Sequence, residues 1–184
     1  ALASAGKPDT VIIFGVAHAA PPVPFILTRK DFETPLGRME TDTQLVDRLA
    51  SRCSWDPFEF EFMHRTEHSI EFQVLMLSYI YGPTVKIVPI LASYFGEDAA
   101  FLDEGDEGPL QAFLNEGRAI VRESGGKVTV IGGVDLAHVG RCFGDDFDID
   151  EDVIADVEGR DREDLAHVEG IDPEAFYRSV MRDE

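Results

Sequence analysis

The hydrophobic run Val128-Thr129-Val130-Ile131 empties into Gly132-Gly133-Val134-Asp135-Leu136-Ala137-His138. The run reads as a buried β-strand, and the two glycines permit a sharp turn at its end. A carboxylate and an imidazole follow at once, three residues apart. The same arrangement occurs near the start of the chain: Val11-Ile12-Ile13-Phe14, then Gly15-Val16-Ala17-His18. Open α/β sheets carry their chemistry at the carboxyl ends of their strands. Both segments therefore mark where a site is expected.

The remaining pattern supports a sheet of this kind. Phe25–Thr28 reads as a second strand, and Gly37–Glu40 as a turn. Asp42 or Thr43 is placed to cap a helix through Leu49. Phe58-Glu59-Phe60-Glu61-Phe62 alternates with period two and reads as a strand with one aromatic face. From Ser69 to Tyr81, the residues Ile70, Val74, Leu77 and Ile80 form one helical stripe. Val85–Leu91 is the next strand, and Pro89 predicts an edge position or a bulge. Residues 98–108 are acidic and read as a solvated loop or the entry to a helix. Leu110 to Ser124 is amphipathic, through Leu110, Phe113, Leu114, Gly117 and Val121, and Gly125-Gly126 ends it. Strand, helix and strand 128–131 then form the crossover that parallel sheets require. Residues 144–172 are dominated by Asp and Glu, and Val153, Val157 and Leu165 predict a surface helix. Asp172 and Pro173 begin a last helix as N-cap and first residue. The expected fold is α/β: one domain over residues 1–184, with a mostly parallel central sheet flanked by helices.

Of the 184 residues, 44% are hydrophobic, which is enough for a core of its own. The net charge of −20 argues against nucleic acid and against an anionic membrane surface as partners. No apolar segment is long enough to span a bilayer, and no secretory signal opens the chain. Cys53 and Cys142 form no metal-ligating spacing and are read as reduced thiols, so a cytoplasmic location is expected. The opening Ala-Leu-Ala-Ser-Ala-Gly lacks a starting methionine and resembles the tail of a helix. The chain is therefore expected to be incomplete at its ends.

Five histidines occur: His18, His64, His68, His138 and His167. His18 and His138 each follow a strand, so in a parallel sheet they can face one cleft. Either alone is more simply a capping or core residue; their matching positions favour a shared site. Imidazole is a common metal ligand, and a carboxylate such as Asp135 completes hard or borderline sites. Glu67-His68-Ser69-Ile70-Glu71-Phe72-Gln73 is the third cluster. Ser69 is expected to cap the helix, with Glu71 in its first turn. That leaves Glu67 and His68 ahead of the cap, as a proton relay or as outer support for a metal. His64 and His167 are expected to be solvated. Asp145 to Asp152 lacks the glycine and terminal glutamate of a calcium loop and reads as a solvated face.

The three clusters, in this order, resemble the Memo-like family (AmmeMemoRadiSam system protein B). Ile13-Phe14-Gly15-Val16-Ala17-His18 is similar to the family's strand ending in Gly-Pro-Ser-His. Glu67-His68-Ser69-Ile70-Glu71-Phe72-Gln73 is similar to its Glu-His-Ser-Ile-Glu motif, and Gly133-Val134-Asp135-Leu136-Ala137-His138 to its Ser-Ser-Asp-x-x-His. Ile171-Asp172-Pro173-Glu174-Ala175-Phe176 and Pro89-Ile90-Leu91 are weaker echoes. The family is related in fold to the class III extradiol (LigB-type) dioxygenases, so the resemblance implies a LigB-like fold. It implies His18 as a metal ligand, and His138 as a ligand or general base with Asp135 beside it. It implies that Glu67 and His68 line the same cleft. The family's early His-Ala-Gly and late Cys-Gly, which also serve that site, have no counterpart here.

The leading expectation is a metal-site protein, of iron type with copper and zinc open, acting as a dioxygenase-like oxidoreductase on a small substrate. A module that binds a small molecule or peptide in the same cleft without catalysis is the second reading. A metal-assisted hydrolase is the third, because an Asp–His pair also activates water.

Overall fold

A computed structural model describes residues 6–93 and 108–180. The acidic loop expected at 98–108 falls outside these residues up to 107, as does the N-terminal helix tail up to residue 5. The chain divides into two compact units, residues 1–134 and 135–184.

The first unit is built on a four-stranded sheet. Its strands are β1 (Thr10–Ala17), β2 (Phe25–Leu27), β5 (Lys86–Ser93) and β6 (Val128–Gly133). The order is β2-β5-β1-β6. β1 lies parallel to both β5 and β6, and β2 alone is antiparallel. This is the mostly parallel α/β arrangement expected. A hairpin of β3 (Phe32–Thr34) and β4 (Gly37–Met39) stands apart as a second sheet. Helices α1 (Thr43–Ala50), α2 (His68–Tyr81) and α3 (Pro109–Glu123) cover the main sheet.

The strand alternation sorts the core into two layers. Val11 and Ile13 of β1 pack with Ile70, Val74 and Leu77 of α2. Ile12 packs the other way, with Val46 and Leu49 of α1 and Phe113 and Ile120 of α3. Asp42 caps α1 by accepting from the Leu45 amide at 3.2 Å. α3 presents the expected apolar side and also Glu116, a buried acid that the pattern did not reveal. Arg48 of α1 and Arg52 just after it hold its two oxygens at 2.5 and 2.8 Å, so the acid enters the core paired.

Several local expectations are overturned. Gly37–Met39 is a strand rather than a turn; the reversal lies at Pro35-Leu36, where Thr34 Oγ1 accepts from the Leu36 amide. Phe58–Phe62 is not a strand. Asp56 Oδ1 accepts from the Phe58 amide at 2.9 Å and starts a turn that leads into a 3-10 helix, Glu61–Arg65. A short side-chain bond of this kind competes with a sheet ladder. The three phenylalanines then diverge: Phe58 joins the α1/α3 layer, Phe60 the α2 layer, and Phe62 is exposed.

Pro89 causes neither an edge nor a bulge. β5 is paired on both sides, and its register with β1 runs unbroken past Pro89. Ile87 turns its amide to Glu40 and its carbonyl to Asp42, away from β1. Pro89, two residues on, turns the same way, so its missing N–H costs the β1 ladder nothing. The β2 ladder begins only at Ile90.

Gly132 and Gly133 make no sharp turn, because both belong to β6. Their neighbour across the sheet explains one of them. Gly133 pairs with Gly15 of β1, and the start of α2 rests on both. A Cβ at Gly15 would lie 2.6 Å from Ser69 Oγ, and one at Gly133 2.6 Å from the Ser69 carbonyl oxygen.

The second unit holds α4 (Glu151–Glu169) and α5 (Pro173–Val180), as expected. Asp150 caps α4 through the Asp152 and Val153 amides, and Asp172 accepts from the Ala175 amide at 3.0 Å. Part of the acidic run is thereby explained: Asp145 accepts from the Gly140 amide and Asp148 from Arg141. Among the described residues no helix is long and apolar enough to cross a membrane.

His64 is buried, against the expectation of solvation. The 3-10 helix turns its ring inward, against Phe32 edge-on, with Nε2 3.2 Å from the Ile26 carbonyl. His167 is part-exposed beside Glu163 on α4.

Two outcomes follow from this packing. Gly15→Ala is expected to cost about 1–3 kcal/mol through overpacking; a lowered urea midpoint at constant m-value reads it, and an unchanged midpoint contradicts the close approach. Burial pushes the pKa of His64 down to about 4. The unfolded chain takes up this proton near pH 6.5 and the folded chain only near 4, so the neutral ring supports the fold above pH 6.5. That support, roughly 3 kcal/mol, is lost as pH falls through this window. His64→Gln should flatten stability against pH there, and an unaltered slope would contradict the assignment.

Candidate metal centre

β1 ends at Ala17, and His18 follows directly at its carboxyl end. α2 begins at His68, with Glu67 as its N-cap. The helix starts here because the Glu67 carboxylate accepts from the His68 amide at 3.1 Å. Ser69, the expected cap, has another task. Its hydroxyl donates to the Val16 carbonyl at 2.9 Å and ties the first turn of α2 to the end of β1. Together with the two glycines beneath it, this bond brings Glu67 and His68 to His18.

Glu67 is the centre of the arrangement. Its side chain is 8% exposed, whereas those of His18 and His68 are 42% and 52% exposed. Oε2 accepts from the His18 amide at 3.1 Å, and Oε1 lies 2.7 Å from His18 Nδ1. His68 Nδ1 is 3.4 Å from the same Oε1. The two imidazoles stack, with centroids 5.0 Å apart and planes 17° from parallel. Phe72, one turn along α2, meets the His68 ring edge-on at 5.8 Å.

His18, Glu67 and His68 thus bring one ligand atom each within 4.8 Å of one another. Bonds near 2 Å place neighbouring ligands roughly 3 Å apart, so the separations of 2.7 and 3.4 Å around Oε1 suit one ion after small adjustment. Two imidazoles and one carboxylate also match the donor set of non-haem iron sites with open positions. The residues present therefore fit a divalent metal. The motifs imply His18 as a ligand and Glu67-His68 as lining; the approach of one Glu67 oxygen to both imidazoles is carried by no sequence pattern.

Asp135 and His138 lie in the second unit. His138 Nδ1 sits 2.9 Å from the Leu136 carbonyl, and Nε2 is 3.8 Å from Asp135 Oδ2. Within the unit, Phe143 packs edge-on against the His138 ring at 4.8 Å. The ring is thus oriented mainly by a backbone carbonyl and an aromatic edge. The Asp135 carboxylate stands just beyond hydrogen-bond reach.

Comparison with known proteins agrees with the motifs. A family model described as Memo-like protein matches residues 1–184. A MEMO1 family protein of Aquifex aeolicus is 34% identical over 137 residues, covering 74% of this chain and 33% of that one. One from Methanococcoides burtonii is 36% identical over 139 residues, covering 75% and 47%. One from Thermococcus kodakarensis is 33% identical over 146 residues, covering 76% and 45%. The chain thus spans between a third and a half of these relatives' lengths. On this ground, and on the ordered motifs at His18, Glu67-His68 and Asp135-x-x-His138, the chain belongs to the Memo-like family.

Proposed function

We propose that this chain carries a mononuclear divalent-metal centre, of iron type, formed by His18, Glu67 and His68, and that the centre serves an oxidoreductase acting on a small aromatic or redox-active substrate. One observation carries the reading: two part-exposed imidazoles converge on one buried carboxylate. Such a donor set leaves coordination positions open toward solvent, where a substrate can approach. Iron bound there would supply Lewis acidity and one-electron chemistry.

The protein's own part is positional. Glu67 is fixed by the His18 and His68 amides, so its oxygens cannot drift from the two rings. The Phe72 edge and the His18 stack hold the His68 ring in place. In the metal-free chain the same carboxylate can accept a hydrogen bond from His18 Nδ1, a bond that the ion would replace. Within the second unit, His138 beside Asp135 is proposed as a general base, with Nδ1 engaged by the Leu136 carbonyl.

Anaerobic titration with ferrous iron, read by calorimetry and by metal analysis after gel filtration, tests the centre. One equivalent is expected to bind, and His18→Ala and His68→Ala should each weaken it at least tenfold. Equal, near-zero metal in all three chains would overturn the proposal. Turnover of a small aromatic substrate only in the presence of oxygen supports oxidation, whereas equal turnover under nitrogen assigns the chemistry to hydrolysis.

A further inference from the structure

The face of the sheet opposite α2 holds a cavity of about 410 Å³ in the first unit. It lies between the sheet and α3, in the layer that contains Ile12 and Phe113, so it is distinct from the metal centre. Phe14 and Val130 contribute from the strands, Phe113 from α3, and Arg118 and Arg122 also line it. The volume falls within the range of about 300–1,000 Å³ typical of small-molecule sites. Gly117 keeps it open, since a Cβ there would have nothing within 4 Å.

The two arginines are the telling feature. The chain has 36 acidic residues against 16 basic ones, so carboxylates are abundant. Arg29, Arg38, Arg48 and Arg52 of the same unit each hold one. Arg118 and Arg122 hold none among the described residues; Arg118 only donates to the Asn115 side chain. Four residues apart on α3, they share one face of the helix, beside an otherwise apolar lining. Two guanidiniums that hold no carboxylate among the described residues, next to an apolar cavity, are complementary to a ligand with an apolar body and an anionic head.

We propose that this cavity binds a medium-chain carboxylate, its alkyl chain against Phe14, Phe113 and Val130 and its head group on Arg118 and Arg122. The planar fork of arginine matches a carboxylate in two-point contact. The −20 net charge opposes anions at long range, but at 0.15 M salt it is screened within about 8 Å. The anion therefore meets mainly the local pair.

Decanoate, kept below its micelle concentration, is the probe, titrated by calorimetry against the full chain with decanol as the uncharged control. One-to-one binding at least tenfold tighter for decanoate is expected. Arg118→Ala with Arg122→Ala should abolish that preference. Gly117→Leu fills the cavity at a helical position where leucine is the better helix former, so it should fold as well by circular dichroism and bind at least tenfold more weakly. Saturable binding that is absent, equal for decanol, or unchanged in Gly117→Leu would overturn the proposal. None of these readouts involves metal, so the proposal and the metal centre stand or fall separately.

Discussion

The Glu67 carboxylate holds the site together. A buried acid is costly unless its oxygens are satisfied, and here the satisfying donors are the very groups that make the site. The His18 amide and ring lie at the end of β1, and the His68 amide at the start of α2. One side chain therefore joins a strand end to a helix start. It does so because the helix can approach so closely. Gly15 and Gly133 clear the sheet surface beneath Ser69, and the Ser69 hydroxyl fastens the first turn to Val16. Adding one methyl group to the sheet at this point would move the helix, and with it the carboxylate.

The sheet also separates two chemistries. Odd residues of β1 face α2, whose start carries the candidate metal ligands. Even residues face α1 and α3 and the cavity lined by Arg118 and Arg122. On the first side the buried acid is Glu67, held by the groups of the site; on the second Glu116 is buried against Arg48 and Arg52, while Arg118 and Arg122 hold no carboxylate among the described residues. Strand alternation is sufficient to keep the two apart, with β1 contributing to both.

Much of this was legible in the chain itself. The run at Val11 is apolar on both faces because both faces are covered, and that pattern identifies a central parallel strand. The run at Val128 reads the same way in sequence, but β6 is an edge strand and Val130 is 47% exposed. The stripe through Ile70, Val74 and Leu77 located α2, and Asp42 and Asp172 located two helix starts. The aromatic alternation at Phe58–Phe62 misled because Asp56 initiates a turn, and a single capping bond outweighs a short periodic signal. Pro89 misled because sequence does not say which way an amide points. The glycines were read for freedom of φ, whereas Gly15 and Gly133 matter for what a Cβ would strike. The site was legible as motifs, His18 and Glu67-His68, but its wiring was not. Ser69 had to be seen bonded to Val16 before Glu67 could be recognised as the cap of α2.

The account stands on Glu67 as the group that gathers two imidazoles around one ion. X-ray absorption on the iron-loaded chain examines that directly. A first shell with two imidazole nitrogens and at least one carboxylate oxygen at about 2.1 Å is predicted, with the imidazole signature falling to one ring in His68→Ala. A first shell of oxygen alone, or a spectrum unaltered in His68→Ala, would contradict it.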